Sequence, residues 1–166
     1  MSELDDALAG EVARLAEALK ARGWTLAAAE SCTGGLIAAA CTSLAGSSDW
    51  FERGVVSYSN EAKTELLGVP AALIVSHGAV SAEVARAMVD GMLVRSRADV
   101  AVAVTGIAGP SGGTPAKPVG TVWLAIGVRD RSAEARLLQL QGDRAAVRQQ
   151  TVAHALHALN DAVAGS

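Results

Sequence analysis

A chain of 166 residues with 51% hydrophobic content is long enough to bury its own core and needs neither metal nor disulfide support. Its formal charge of −3, from 14 basic and 17 acidic side chains, and its aromatic content of 3% argue against a nucleic-acid partner. Two cysteines make no disulfide framework, Met1 to Gly10 is acidic rather than signal-like, and no apolar run nears the roughly eighteen residues of a membrane span, so a reducing cytoplasm and no membrane partner are expected.

Leu4, Leu8, Val12, Leu15 and Leu19 recur at helical spacing ahead of Gly23, which predicts an amphipathic helix from residue 4 to about 22. Thr25 to Ala29 is short, small and apolar and reads as a buried strand, and Gly35 to Leu44 starts a packed helix. Ala45 to Ser48 is a turn, and Trp50 to Tyr58 carries a strand through Val55 and Val56. Ser59 and Asn60 offer a cap for a short helix from Glu61 to Leu67, closed by Gly68 and Pro70. Residues 70 to 80 read as a connector with an apolar patch. Ser81 then caps a helix of roughly fifteen residues with Val84, Met88 and Met92 on its buried side.

Val100 to Val104 is an apolar run suited to a central strand covered on both faces. It is followed by a Gly- and Pro-rich loop from Thr105 to Pro118, of the length and position that usually serve a site. Gly120 to Val128 and Ala133 to Gln141 alternate around Arg129 to Ser132 and predict an antiparallel hairpin. A last helix starts near Asp143 with Val152, Leu156, Leu159 and Val163 as its stripe, and counting back in fours places Arg148 and Arg144 on the same inward face. With few aromatics, the core must come from Ala, Val and Leu, and 17 glycines allow elements to approach closely. The expectation is one single-domain α/β unit, a three-layer α/β/α with a mixed β-sheet, and no internal repeat or linker.

The stretch from Ala27 to Gly35, Ala-Ala-Ala-Glu-Ser-Cys-Thr-Gly-Gly, sets Glu30, Ser31, Cys32 and Thr33 between a strand and a helix. Hydroxyls there lie beside unpaired backbone N–H groups, where developing negative charge is stabilised, and Gly34 and Gly35 permit close approach of a ligand. Ser31 or Thr33 reads equally as a plain helix cap. Lys63, third in a helix capped by Asn60, is either a solvated surface lysine or an amine held neutral by burial and the helix dipole, and so a general base. Tyr58, the chain's one tyrosine, is a proton relay or an amphipathic core residue. Arg144 and Arg148 call for an anion, either a ligand phosphate or carboxylate or an internal acid such as Glu30. The loop after Thr105 offers glycine amides to a phosphate or ribose but lacks the dinucleotide and Walker patterns. His154 and His157 have no cluster to make a metal site, His77 is isolated, and Cys32 competes with Ser31 as nucleophile while Cys41 packs.

Ala29-Glu30-Ser31-Cys32-Thr33-Gly34-Gly35, Tyr58 to Lys63, His77 to Ser81, Thr105 to Pro110, Lys117 to Val122, and Gly142-Asp143-Arg144 with Arg148 together resemble the CinA C-terminal domain family of nicotinamide-nucleotide amidohydrolases. The blocks run in order through nearly the whole chain. Ser111 stands where the family often has Asp. In larger relatives a molybdopterin-binding-like domain precedes this one, and its activity is not expected here.

The resemblance implies hydrolysis of the carboxamide of nicotinamide mononucleotide to nicotinic acid mononucleotide and ammonia, without metal or cofactor, in pyridine nucleotide recycling. In that reading Ser31 is the nucleophile, Lys63 the base and Tyr58 a proton relay, with amides from Thr33 to Gly35 for the oxyanion. Arg144, Arg148 and the stretch Thr105, Gly106 to Gly109 receive phosphate and ribose. Glu30 and Ser48 complete the substrate contacts, and Ser48 is also a second possible nucleophile. The rival reading is a non-catalytic nucleotide-binding or competence-related interaction module. A homo-oligomer is expected from the small-residue faces.

Overall fold

The computed structural model describes residues 3–166. In chain order the elements are α1 (Glu3–Arg22), β1 (Leu26–Glu30), α2 (Leu36–Thr42), a 3-10 turn (Ser47–Asp49), β2 (Phe51–Val56), α3 (Asn60–Leu67), α4 (Ala71–His77), α5 (Ala82–Val94), β3 (Val100–Gly106), β4 (Thr121–Val128), β5 (Glu134–Gln139) and α6 (Arg144–Ala164). The sheet runs β2-β1-β3-β4-β5. β1 is parallel to both β2 and β3, whereas β4 and β5 are antiparallel, so the expected mixed sheet between two helical layers is what forms.

Alternation along the strands explains the layers. Leu26 and Ala28 of β1 and Val100, Val102 and Val104 of β3 face a core built with Val12, Leu15 and Leu19 of α1 and Val152, Leu156, Leu159 and Val163 of α6. The intervening Ala27, Ala29, Ala101 and Ala103 face Val84, Met88, Val89 and Met92 of α5. Large residues on one face and alanines on the other let α5 lie close to the sheet; a side chain at Gly127 would already meet Val89 at 2.6 Å. The α1 stripe is buried from Val12 to Leu19 as predicted, while the side chain of Leu4 lies outside the described residues.

Two boundaries differ from expectation. Residues 71–77 form α4 rather than a connector; only Ile74 of this helix is buried, and Pro70 caps it without a side-chain bond, so neither periodicity nor a capping residue marks it. Ser59 rather than Asn60 caps α3, its hydroxyl accepting from Ala62 N, because Ser59 holds the extended conformation that aims its oxygen back at the first turn.

What matters for the site is the parallel trio. The register pairs Glu30 with both Val56 and Val104, so β1, β2 and β3 end on one edge of the sheet. Pairing continues one residue further, with Ser31 N donating to Val104 O at 3.1 Å and Ser57 N donating to Glu30 O at 2.8 Å. The chain leaves β1 toward β2 and returns across it to β3, and such a reversal opens a crevice beyond the strands' carboxyl ends.

Candidate active site

The turn after β1 is built around a buried carboxylate. Glu30, 1% exposed, accepts from Thr33 Oγ1 at 2.6 Å, Ile37 N at 2.8 Å and Ala38 N at 3.0 Å. It thereby does the capping work of α2, whose N-cap position is Gly35 at φ 106° with no side-chain bond. Ser31 is released from that duty. The expectation that Glu30 contacts a ligand gives way to this inward role, because its acceptor positions face the backbone of α2.

Ser31, 7% exposed, turns its hydroxyl to the amine of Lys63, with Oγ and Nζ 3.0 Å apart. Lys63 rises from the first turn of α3 and is 1% exposed. Its amine also reaches Ser57 O at 3.2 Å and Tyr58 O at 3.1 Å. Neither Asp nor Glu pairs with it among the described residues, and burial without a countercharge pulls its pKa below the ordinary lysine value. A neutral amine has two N–H bonds and one lone pair. In the geometry present the amine donates to Ser31 Oγ, and that hydroxyl donates to Tyr58 O at 3.4 Å; a neutral amine that keeps its bonds to the two carbonyls has its lone pair left to face the Ser31 hydroxyl.

The residues that line the cleft in front of this pair enclose about 280 Å³. Ser31, Cys32, Asn60 and Lys63 form its base, Ala79 and Val80 one side, and Thr105 to Gly109 with Ser111 and Gly112 the other. Arg144 and Tyr58 stand at its rim. Thr105 Oγ1 donates to Ala79 O at 2.9 Å, tying the two sides together. The phenol of Tyr58, a residue 58% exposed, accepts from Arg144 Nη2 at 3.2 Å, and Arg144 Nη1 donates to Gly109 O at 2.9 Å. The Tyr58 carbonyl, not its phenol, therefore meets Lys63 and Ser31. Among the described residues no acidic one lines the cleft, and the Arg144 guanidinium does, a balance that suits an anionic ligand.

Other expected participants lie elsewhere. Arg148 does not line the cleft: its Nε donates to Cys32 O and its Nη2 to Thr33 O, both at 3.2 Å. Thr33, Gly34 and Gly35 sit behind the cleft, with Gly34 N donating to Ser31 O at 3.0 Å. Ser48 is exposed in the turn that enters β2, at the edge of the sheet opposite Ser31, because the whole of β2 intervenes. The Cys32 thiol lines the cleft but burial pushes its pKa up to about 11, and that of Cys41 to about 12, so both stay protonated at neutral pH.

Among the described residues no group of three His, Cys, Asp or Glu side chains is placed to hold a metal ion, and no helix is long and apolar enough to cross a membrane. Sequence reading missed Asn60, Ala79 and Val80 as cleft residues. Asn60 reads as a helix cap, and the others are apolar positions that only the ends of the strands bring into view.

The family described as the CinA C-terminal domain matches residues 9–163. A CinA-like protein of Mycolicibacterium gilvum is 57% identical over 143 residues, 86% of this chain and 34% of that protein. Nicotinamide-nucleotide amidohydrolase PncC of Escherichia coli K12 is 51% identical over 146 residues, 88% of each chain. The chain spans about a third of the length of the curated relatives it first matches. Among solved structures, the competence/damage inducible protein CihA of Agrobacterium tumefaciens superposes with a TM-score of 0.93 at 43% identity, covering 98% of this chain and 99% of the other.

Proposed function

The chain belongs to the CinA C-terminal domain family, and from that premise we propose that it is a nicotinamide-nucleotide amidohydrolase that releases ammonia from nicotinamide mononucleotide through a Ser31 nucleophile and a Lys63 base. The observation that carries the reading is the 3.0 Å separation of the buried, uncompensated Lys63 amine and Ser31 Oγ. Relatives named for this activity, of similar length to this chain, support the substrate class.

In the first half-reaction Ser31 Oγ attacks the carboxamide carbon while its proton passes to Lys63 Nζ. The amide oxygen takes the negative charge and is held by the N–H of Cys32, a cleft residue, where one such donor is worth about 3 kcal/mol to the transition state. Lys63 returns the proton to the amide nitrogen, the C–N bond breaks, and ammonia leaves a nicotinoyl ester on Ser31. Water then attacks the ester with Lys63 taking its proton. The C–O bond to Ser31 breaks, Oγ recovers the proton, and nicotinic acid mononucleotide departs as a carboxylate.

Arg144 receives the phosphate, and Tyr58, bonded to it, stands on the same side as a wall for ribose. Ile107 N is taken up by Thr121 O at 2.9 Å, so the amides of Ala108 and Gly109 are the ones left to face the sugar. Tyr58 serves Lys63 through its carbonyl, so the proton shuttles on the lysine alone. No metal or organic cofactor is needed for any step.

The test is incubation of purified protein with nicotinamide mononucleotide, with ammonia and nicotinic acid mononucleotide measured together. Equal release of both supports the reading. Absence of both, with the nucleotide still bound, would leave the rival non-catalytic nucleotide-binding module in its place.

A further inference from the structure

Arg144 and Arg148 lie one turn apart on α6, yet only Arg144 lines the cleft. Arg148 reaches under the turn that follows Ser31 and spans two successive peptide groups, bonding Cys32 O and Thr33 O. Its Nη2 passes 3.5 Å from the position a Cβ would take on Gly34, so this turn and the guanidinium are fitted to each other. Ser31 O is held in turn by Gly34 N, and Thr33 O also accepts from Leu36 N at 3.1 Å. Three consecutive carbonyls, of Ser31, Cys32 and Thr33, are thus bound by groups that do not line the cleft.

A trans peptide points its N–H opposite to its C=O. Arg148 fixes the two peptides whose N–H groups belong to Thr33 and Gly34; Gly34 N in turn holds Ser31 O, and across that peptide stands the N–H of Cys32, a cleft residue. A guanidinium does this better than any single donor, because its fork spans both oxygens at a set angle. We propose that Arg148 is a positioning residue: it locks the peptide planes after Ser31 so that the Cys32 N–H meets the oxyanion and Ser31 Oγ stays on Lys63, and it does not touch the substrate phosphate. The inference rests on the amidohydrolase reading for its choice of substrate but makes a claim about Ser31 that holds without it.

The experiment compares Arg148→Gln and Arg148→Lys with the unaltered protein on nicotinamide mononucleotide and on nicotinamide riboside, which lacks the phosphate. The expected result for Arg148→Gln is a fall in kcat of about 30-fold or more, by the same factor on both substrates, with KM within about threefold. Arg148→Lys, which keeps the charge without the fork, recovers only part of the loss.

A rise in KM confined to the phosphorylated substrate would overturn the proposal and make Arg148 a phosphate ligand, and an unchanged kcat would overturn it outright. A second readout uses no amide substrate: the rate at which a fluorophosphonate modifies Ser31, with loss of fluoride, followed by intact mass on protein whose circular dichroism is unchanged. Slower modification in both variants supports the proposal even if nicotinamide mononucleotide is not turned over by any form. Equal rates in all three proteins would sink it.

Discussion

The Ser31 hydroxyl and the Lys63 amine, 32 residues apart in sequence, stand 3.0 Å apart because β1 and β2 run parallel and end side by side. Their meeting depends on register: Glu30 pairs with Val56, so Ser31 and Ser57 leave the sheet together and α3 starts directly above them. The remaining contacts of the amine are main-chain oxygens, and neither carries a charge that would hold it protonated.

That environment gives a pH signature. Activity should rise with pH as Lys63 loses its proton, with a limb below the ordinary lysine pKa that disappears in Lys63→Met along with turnover. Stability follows the opposite partner of the linkage: the unfolded lysine binds a proton that the folded one sheds. The cost of burying the charge is therefore present in full below the lowered pKa and is relieved as pH climbs from there to the ordinary value. Lys63→Met should gain in Tm over the unaltered protein at low pH, and the gain should shrink across that window. A pH-independent difference in Tm would show that the amine does not titrate in the fold.

Replacement of the two cleft nucleophiles should give opposite results. Ser31→Ala is expected to lower kcat for ammonia release by about a thousandfold or more, with an unchanged melting curve. Cys32→Ala should keep activity within about twofold, because a thiol whose pKa is pushed up to about 11 supplies almost no thiolate at neutral pH. Strong loss in Cys32→Ala beside activity in Ser31→Ala would move the chemistry to sulfur.

Arg144→Ala should raise KM for nicotinamide mononucleotide by about tenfold or more and leave kcat nearly constant, since a phosphate contact is made equally in ground and transition states. The same variant should behave like the unaltered protein on the riboside. Steady-state kinetics on the two substrates decide the matter, and an equal penalty on both would assign Arg144 to holding the Gly109 loop instead.

Glu30→Ala tests the foundation of the turn. The change leaves Ile37 N, Ala38 N and Thr33 Oγ1 without their common acceptor, and a cost of about 3 kcal/mol is expected. Urea denaturation should show a lower midpoint at constant slope. An unmoved midpoint would mean that water substitutes for the carboxylate.

Much of this architecture is legible from residue patterns because it follows from burial. The leucine stripes of α1 and α6, the valine run of β3 and the alternation of the hairpin each repeat at the period of their element. The α4 helix escapes notice since it buries one residue, and its β-branched Ile74 and Val75 suit a strand or connector as well. For the site, spacing along α6 puts the two arginines one turn apart, but Arg144 is exposed rather than inward, and which of them lines the cleft is invisible, because the carbonyls that hold them have no letter in a sequence. Ser48 misleads for a related reason: ten positions from Tyr58 seems close, yet an intervening strand of six residues carries the chain from one edge of the sheet to the other.

The anchoring of Lys63 by Ser57 O and Tyr58 O has an evolutionary corollary. Every amino acid brings the same main-chain oxygen, so the address of the base is indifferent to which side chains occupy those two positions. Tyr58 is thereby free to diverge for recognition of new ligands at the rim without dislodging the reactive amine behind it.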